Sequence, residues 1–124
     1  MNEIQSYQDL LVWQKGISLA KSTYEVTRSF PDEEKFGLIS QMRRAAVSIP
    51  SNIAEGQARR TTGEFLQFLC HAEGSAAELE TQLILAVELD FCPKPRALPV
   101  YELLGELRRM LNALRRKLAS RSAH

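Results

Sequence analysis

Four arginines in the C-terminal part of the chain repeat at a spacing of seven residues: Arg108, Arg109, Arg115 and Arg116. Seven residues are close to two helical turns, so a helix would display all four on one face together with Asn112. A guanidinium group donates two hydrogen bonds to a phosphate at once and keeps its charge. Lys117 and Arg121 extend the same basic segment. These residues predict a helix face that binds nucleic-acid phosphates without reading the bases.

The same arginines have a simpler interpretation, because cations near the C-terminus of any helix are favoured by the helix dipole. A solvated helix end that binds nothing therefore stays open as the alternative. A second basic pair, Arg59 and Arg60, stands in a predicted turn before Gly63. This pair either adds to the nucleic-acid surface or is merely solvated.

The charges are strongly segregated along the chain, although the formal net charge is only +1. Residues 1–93 carry 8 Lys and Arg against 13 Asp and Glu, whereas residues 94–124 carry 8 against 2. Such a split predicts either a basic element with an anionic partner or an oligomer that pairs the two poles.

A smaller set of polar residues lies beside the predicted apolar helix faces: Arg43, Arg44, Asn52, Glu55 and Ser75. We expect this set to be structural, since buried polar groups can fix helix register or oligomeric state. The two arginines are expected to pair with carboxylates on neighbouring helices, the candidates being Glu55, Glu73 and Glu80. Nucleic-acid contact is the functional alternative for the two arginines. A carboxylate site is the alternative for the acids, the available ones being Glu55, Glu73, Glu78 and Glu80.

No segment matches a pattern of catalytic, cofactor-binding or metal-binding residues. Ser48, Ser51 and Ser75 have no histidine at the spacing of a known nucleophile motif. The glycines are isolated, so there is no phosphate-binding loop. The Glu-x-x-His pairs of di-metal bundles are missing around His71. We therefore expect no enzymatic activity, no cofactor and no metal site.

Four apolar stripes with alternating spacings of three and four residues predict four amphipathic helices over residues 7–29, 33–57, 62–90 and 98–118. The first stripe contains Leu10, Trp13, Ile17, Ala20 and Tyr24. Tyr7, Trp13 and Tyr24 could stack on nucleic-acid bases, but this spacing places them in the core. Short connections between such helices predict an all-α, antiparallel up-down four-helix bundle, with residues 1–124 as a single domain.

Nothing in the sequence predicts secretion or membrane insertion. No basic start precedes an apolar run, and no stretch approaches the roughly 20 apolar residues that span a bilayer. Cys70 and Cys92 are far apart in sequence, which favours reduced, mostly buried thiols. The leucines of the fourth helix are needed to close the bundle, so we do not expect this helix to lie on a membrane. The expected location is the cytoplasm.

Three segments carry a family resemblance. Residues 40–56 read SQMRRAAVSIPSNIAEG, residues 7–15 read YQDLLVWQK, and the third helix contains GEFLQFL at 63–69 and GSAAELETQL at 74–83. Together they resemble the four-helix-bundle proteins encoded in 23S rRNA intervening sequences. The resemblance spans roughly residues 7–90.

This resemblance implies the same fold and a homo-oligomer, most often a ring of five bundles. It also implies similarity to the accessory variability determinant of diversity-generating retroelements, a basic pentamer that binds nucleic acid and partners a reverse transcriptase. RNA or DNA and a reverse transcriptase are therefore the implied partners. The family's own biochemical function is not established, so a protein-interaction scaffold that binds no nucleic acid stays open as the alternative.

Overall fold

A computed structural model describes residues 6–122 of the chain. The described residues form four helices: α1 (Leu11–Thr27), α2 (Leu38–Gln57), α3 (Thr62–Glu88) and α4 (Lys94–Ser122). Each helix packs on the next along the chain, and α4 closes onto α1, whereas the backbones of the diagonal pairs do not approach each other closely among these residues. The predicted all-α four-helix bundle is confirmed.

The predicted apolar stripe of α1 is correct at Leu10, Trp13 and Ala20, which are buried or pack against the core, but it is wrong at Ile17 and Tyr24. The buried face carries Val12, Gly16, Leu19, Thr23 and Val26, while Ile17 and Tyr24 are 37% and 40% exposed. The threonine is buried because its hydroxyl donates to the Leu19 carbonyl oxygen at 2.8 Å, which satisfies its only donor within the helix. A periodicity count that includes only apolar residues misses such a position.

Close packing between α1 and α2 depends on Gly16. A Cβ atom at this position would lie 3.3 Å from the Pro50 Cβ atom, so the proline ring fills the space that a side chain would occupy. Helix α2 buries Met42, Ala46, Ile49 and Ile53. These residues have the predicted alternating spacings of four and three, so the predicted apolar stripe of this helix agrees with the structure. The helix starts at Leu38, later than the predicted residue 33, because Asp32–Glu34 form a separate 3-10 turn.

The ends of α3 are set by side-chain and backbone hydrogen bonds. Thr61 caps the N-terminus: its hydroxyl oxygen accepts from the Glu64 backbone N–H at 3.1 Å. At the other end Asp90 adopts a positive φ of 64°. The Phe91 N–H then reaches the Ala86 carbonyl oxygen at 2.9 Å, the geometry that ends many helices.

Helix α4 is longer than predicted at both ends. It starts at Lys94, because the Pro93 carbonyl oxygen accepts the backbone N–H groups of both Arg96 and Ala97. Pro99 is accommodated within the helix. The leucines of this helix at the predicted spacings of three and four, Leu104, Leu107 and Leu111, are buried. The helix then continues past residue 118 to Ser122.

Candidate nucleic-acid interface

The topology gathers the two basic segments at one end of the bundle. Because α2 and α4 run in the same direction, the turn after α2 and the C-terminal turns of α4 lie at the same end. We call this the basic end and define it by Arg59, Arg60, Arg115, Arg116, Lys117 and Arg121. The sequence alone did not predict that the turn arginines and the α4 arginines would lie at the same end.

Two of the four repeating arginines are occupied by ion pairs with α3. The Arg108 Nη1 atom lies 2.7 Å from Glu80 Oε1, and the Arg115 Nε atom lies 2.7 Å from Glu73 Oε2. Arg115 also donates to Asn112 Oδ1 at 2.9 Å. The hydrogen bond to Glu73, and then its negative charge, raise the pKa of Arg115. The four arginines therefore do not form one free face: two of them fasten α4 to α3.

The other cations of α4 are more available. Arg109, Arg116, Lys117 and Arg121 are exposed, and among the described residues no carboxylate lies within ion-pairing distance of them. Arg109 lies near Glu106, whose pKa is lowered mainly by a hydrogen bond from Lys15 and to a smaller extent by Arg109. Lys117 follows Arg116 by about 100° around the helix axis. The free charges therefore wrap around the last turns of α4.

The turn arginines differ from each other. The Arg59 Nη2 atom lies 2.8 Å from Glu55 Oε2, and its guanidinium stacks over the Phe68 ring at 4.8 Å from the centroid. Arg60 is exposed and makes no ion pair within the described part of the chain. Of the two turn arginines, only Arg60 therefore has a guanidinium group without an ion pair among the described residues.

The predicted polar cluster is only partly assembled. Ser75 on α3 and Ser48 on α2 are joined by their hydroxyls at 2.9 Å, and the Asn52 amide donates to the Ser48 hydroxyl at 2.9 Å. Ser48 completes this cluster, although we had not assigned it there. Glu55 lies apart from it, since it pairs with Arg59 within the last turns of the helix.

The predicted partners of Arg43 and Arg44 are wrong. Arg43 Nε donates to the Thr27 hydroxyl at 2.9 Å, and its guanidinium stacks on Tyr24 at 4.5 Å from the ring centroid. Arg44 is exposed and makes no ion pair in residues 6–122. The candidate glutamates pair with other arginines, because helix packing places Glu73 and Glu80 of α3 beside α4.

The aromatic side chains divide between core and surface. Tyr7 and Trp13 contact each other edge to face at 5.3 Å between centroids and pack against the core. Tyr24, which the sequence placed in the core, is on the surface beneath Arg43. Cys70 is also exposed, contrary to expectation, whereas Cys92 is buried.

The described residues contain no group of three His, Cys, Asp or Glu side chains that could hold a metal ion. None of the described helices combines the length and the apolar character that crossing a bilayer requires. The geometry defines a small antiparallel helical bundle with one strongly basic end.

The chain belongs to the 23S rRNA-intervening sequence protein family, whose pattern its residues 8–113 match. The fold is similar to a crystal structure from Bacteroides thetaiotaomicron, described as a protein of unknown function from the S23 ribosomal protein family. That similarity has a TM-score of 0.76 at 20% identity and covers 84% of this chain and 97% of the other. No curated protein matches the sequence significantly.

Proposed function

We propose that this protein is a non-catalytic, self-associating bundle that binds nucleic acid through its phosphates. The observation that carries the proposal is the set of exposed cations at the basic end that make no ion pair within residues 6–122: Arg60, Arg116, Lys117 and Arg121. Each phosphate contact releases condensed counterions, so a few such cations per subunit add up when several subunits bind one strand.

The proposed binding is indifferent to base sequence. Arginine and lysine at a helix end contact the phosphates, which carry no sequence information of their own. The family's name records where its genes are found and does not identify a ligand. The resemblance supports two further parts of the proposal, a ring of five subunits and a reverse transcriptase as a protein partner.

The test is a fluorescence-anisotropy titration of single- and double-stranded RNA and DNA at rising salt concentration. We expect the logarithm of the affinity to fall linearly with the logarithm of the salt concentration. The triple variant R116E/K117E/R121E should bind far more weakly. It should also reduce the slope for single strands by about 2, at about 0.7 per lost phosphate contact.

A matched control changes the net charge equally at the opposite end of the bundle. Arg28, Lys35 and Lys94 are exposed there, and the variant R28E/K35E/K94E should keep most of the affinity. Equal losses in both triple variants would mean that net charge alone drives binding, which contradicts a localized site. Failure of the unmodified protein to bind at low salt would overturn the proposal.

The alternative function is a protein-interaction scaffold that binds no nucleic acid. It is favoured by the ion pairs of Arg108 and Arg115, which give half of the repeating arginines a structural role. Under this alternative the titration shows no binding, while a protein partner still binds the triple variant R116E/K117E/R121E.

A further inference from the structure

Three flat side-chain groups adjoin one another in the first half of α3 and in the turn before it. We call them the stacking cluster and define it by Arg59, Phe68 and His71. The guanidinium of Arg59 lies over the Phe68 ring at 4.8 Å from the ring centroid. The imidazole of His71, almost one helical turn further along α3, contacts the same ring edge to face at 5.9 Å between centroids.

The stacking cluster is anchored on its inner side and open to solvent on its outer side. The Phe68 Cβ atom packs where Gly56 has no side chain, since a Cβ atom on this glycine would lie 2.7 Å from it. Phe68 is half-buried, whereas His71 is exposed and the Arg59 side chain is 42% exposed. The ion pair with Glu55 fixes one edge of the Arg59 guanidinium. A guanidinium that stacks on a ring by one face leaves its other face available.

The antiparallel register of α3 and α4 brings free cations to the level of the cluster. The two ion pairs between these helices show the register, because their α4 members and their α3 members are each seven residues apart. Two residues beyond the pair of Arg115 with Glu73, the same register places Lys117 at the level of His71. Arg121 follows one turn closer to the basic end. Both of these cations are exposed.

The charges around the cluster favour an anionic ligand. Glu55 and Glu73 are already engaged in ion pairs. In the first turns of α3 this leaves Glu64 as the acid that makes no ion pair among the described residues, and its Oε1 atom accepts from the Thr61 hydroxyl at 2.9 Å. Against this one carboxylate stand the four exposed cations on which the proposed nucleic-acid binding rests.

The cluster lies within reach of a strand that is bound at the basic end. His71 is nine residues from Thr62, the first residue of α3, which is about 14 Å along the helix axis. A stacked strand covers this distance in about four nucleotides, at about 3.4 Å for each. Folds that bind single strands contact about 4–16 nucleotides. A strand whose phosphates contact Arg60 can therefore bring its bases to the cluster.

We propose that the stacking cluster binds unpaired bases of a single-stranded nucleic acid whose phosphates lie on the basic end. Aromatic rings and guanidinium planes stack on bases, and this contact tolerates any sequence because every base has a π-face. In a duplex the bases cover each other's faces, so the cluster selects single strands. This inference rests on the nucleic-acid binding of the proposed function and names the form of nucleic acid that is bound.

The test compares two single-stranded DNA oligonucleotides of equal length, one of thymidine nucleotides and one of abasic nucleotides, by competition anisotropy at low salt. Both strands carry the same phosphates, so contacts to the basic end alone would give equal affinities. Stacking of at least one base should make the thymidine strand bind about tenfold more tightly. Equal affinities overturn the stacking inference and leave phosphate binding intact. No binding of either strand overturns the proposed function itself.

Two variants then assign the stacking to this cluster. H71A removes the exposed ring, and R59K keeps the positive charge but loses the guanidinium plane. Each should lower the affinity for the thymidine strand several-fold and leave the affinity for the abasic strand and for a duplex unchanged. H71F keeps a ring at this position and should retain tight binding of the thymidine strand.

The matched control is Y24A, which removes a surface ring that also lies beneath an arginine, Arg43, near the opposite end of the bundle. It should change neither affinity. An equal loss for both strands in H71A and R59K would mean that these residues act through charge or folding, which contradicts stacking. A loss in Y24A as large as that in H71A would contradict the assigned location.

Discussion

At the scale of single residues, Gly56 permits a close approach between α2 and α3. A Cβ atom there would lie 2.7 Å from the Phe68 Cβ atom and 3.0 Å from Phe65 Cδ1. The Phe68 Cβ atom is fixed to the backbone of α3, so it cannot turn aside. The only way to accommodate a side chain is to move the helices apart.

We therefore expect G56A to lower the free energy of unfolding by about 1–3 kcal/mol, the usual cost of overpacking a core. Urea unfolding followed by circular dichroism measures this directly. The matched control is G74A, at a helical glycine with nothing within 4 Å of the added Cβ. It should stabilise by about 0.5–1 kcal/mol, because alanine favours the helix. Equal effects of the two variants would contradict the assigned contact.

At the scale of helices, α4 packs on α3 through buried apolar side chains and through two ion pairs at the edge of this contact. The ion pairs of Arg108 and Arg115 lie two helical turns apart on α4, and their glutamate partners lie two turns apart on α3. Their side chains are between 27% and 42% exposed. Solvent therefore screens them, and each should contribute little to the global free energy of unfolding.

We expect R115M to speed amide hydrogen exchange in the last turns of α4 while hardly changing global stability. The physical reason is that Glu73 holds these turns near a helix end, where local opening costs little free energy. The matched control R116M removes a neighbouring arginine that has no ion pair among the described residues, so exchange should stay the same. Unchanged hydrogen exchange in R115M would show that apolar packing alone orders the end of α4.

At the scale of the whole molecule, the charges are distributed unequally between the two ends of the bundle. The up-down topology brings Arg59 and Arg60 to the same end as the last turns of α4, while the acidic turn at Asp32–Glu34 lies at the other end. The proposed nucleic-acid binding depends on this placement.

If native subunits associate and unfolded chains do not, stability must depend on protein concentration. We expect the apparent free energy of unfolding to rise by up to about 1.4 kcal/mol per subunit for each tenfold increase in concentration, once association is saturated. Calorimetric scans over two decades of concentration measure the accompanying shift in melting temperature. A flat dependence in the unmodified protein would argue against association.

The sequence by itself determined the number of helices, the buried faces of α2 and of the middle of α4, and the family to which the chain belongs. The helices and their buried faces follow from local periodicity, because a helix with a long apolar stripe is stable in a bundle when that stripe faces the core. The excess of basic residues in α4 was also evident from the sequence alone. The four-helix bundle implied by the resemblance is confirmed.

Only the tertiary structure decided which arginines are free and which face of α1 is buried. Arg108 and Arg109 are adjacent and identical in type, yet only Arg108 lies within reach of Glu80. Thr23 replaces an apolar residue in the core because its hydroxyl bonds within its own helix. In both cases the outcome depends on how neighbouring helices are rotated and staggered, which no pattern within one helix specifies.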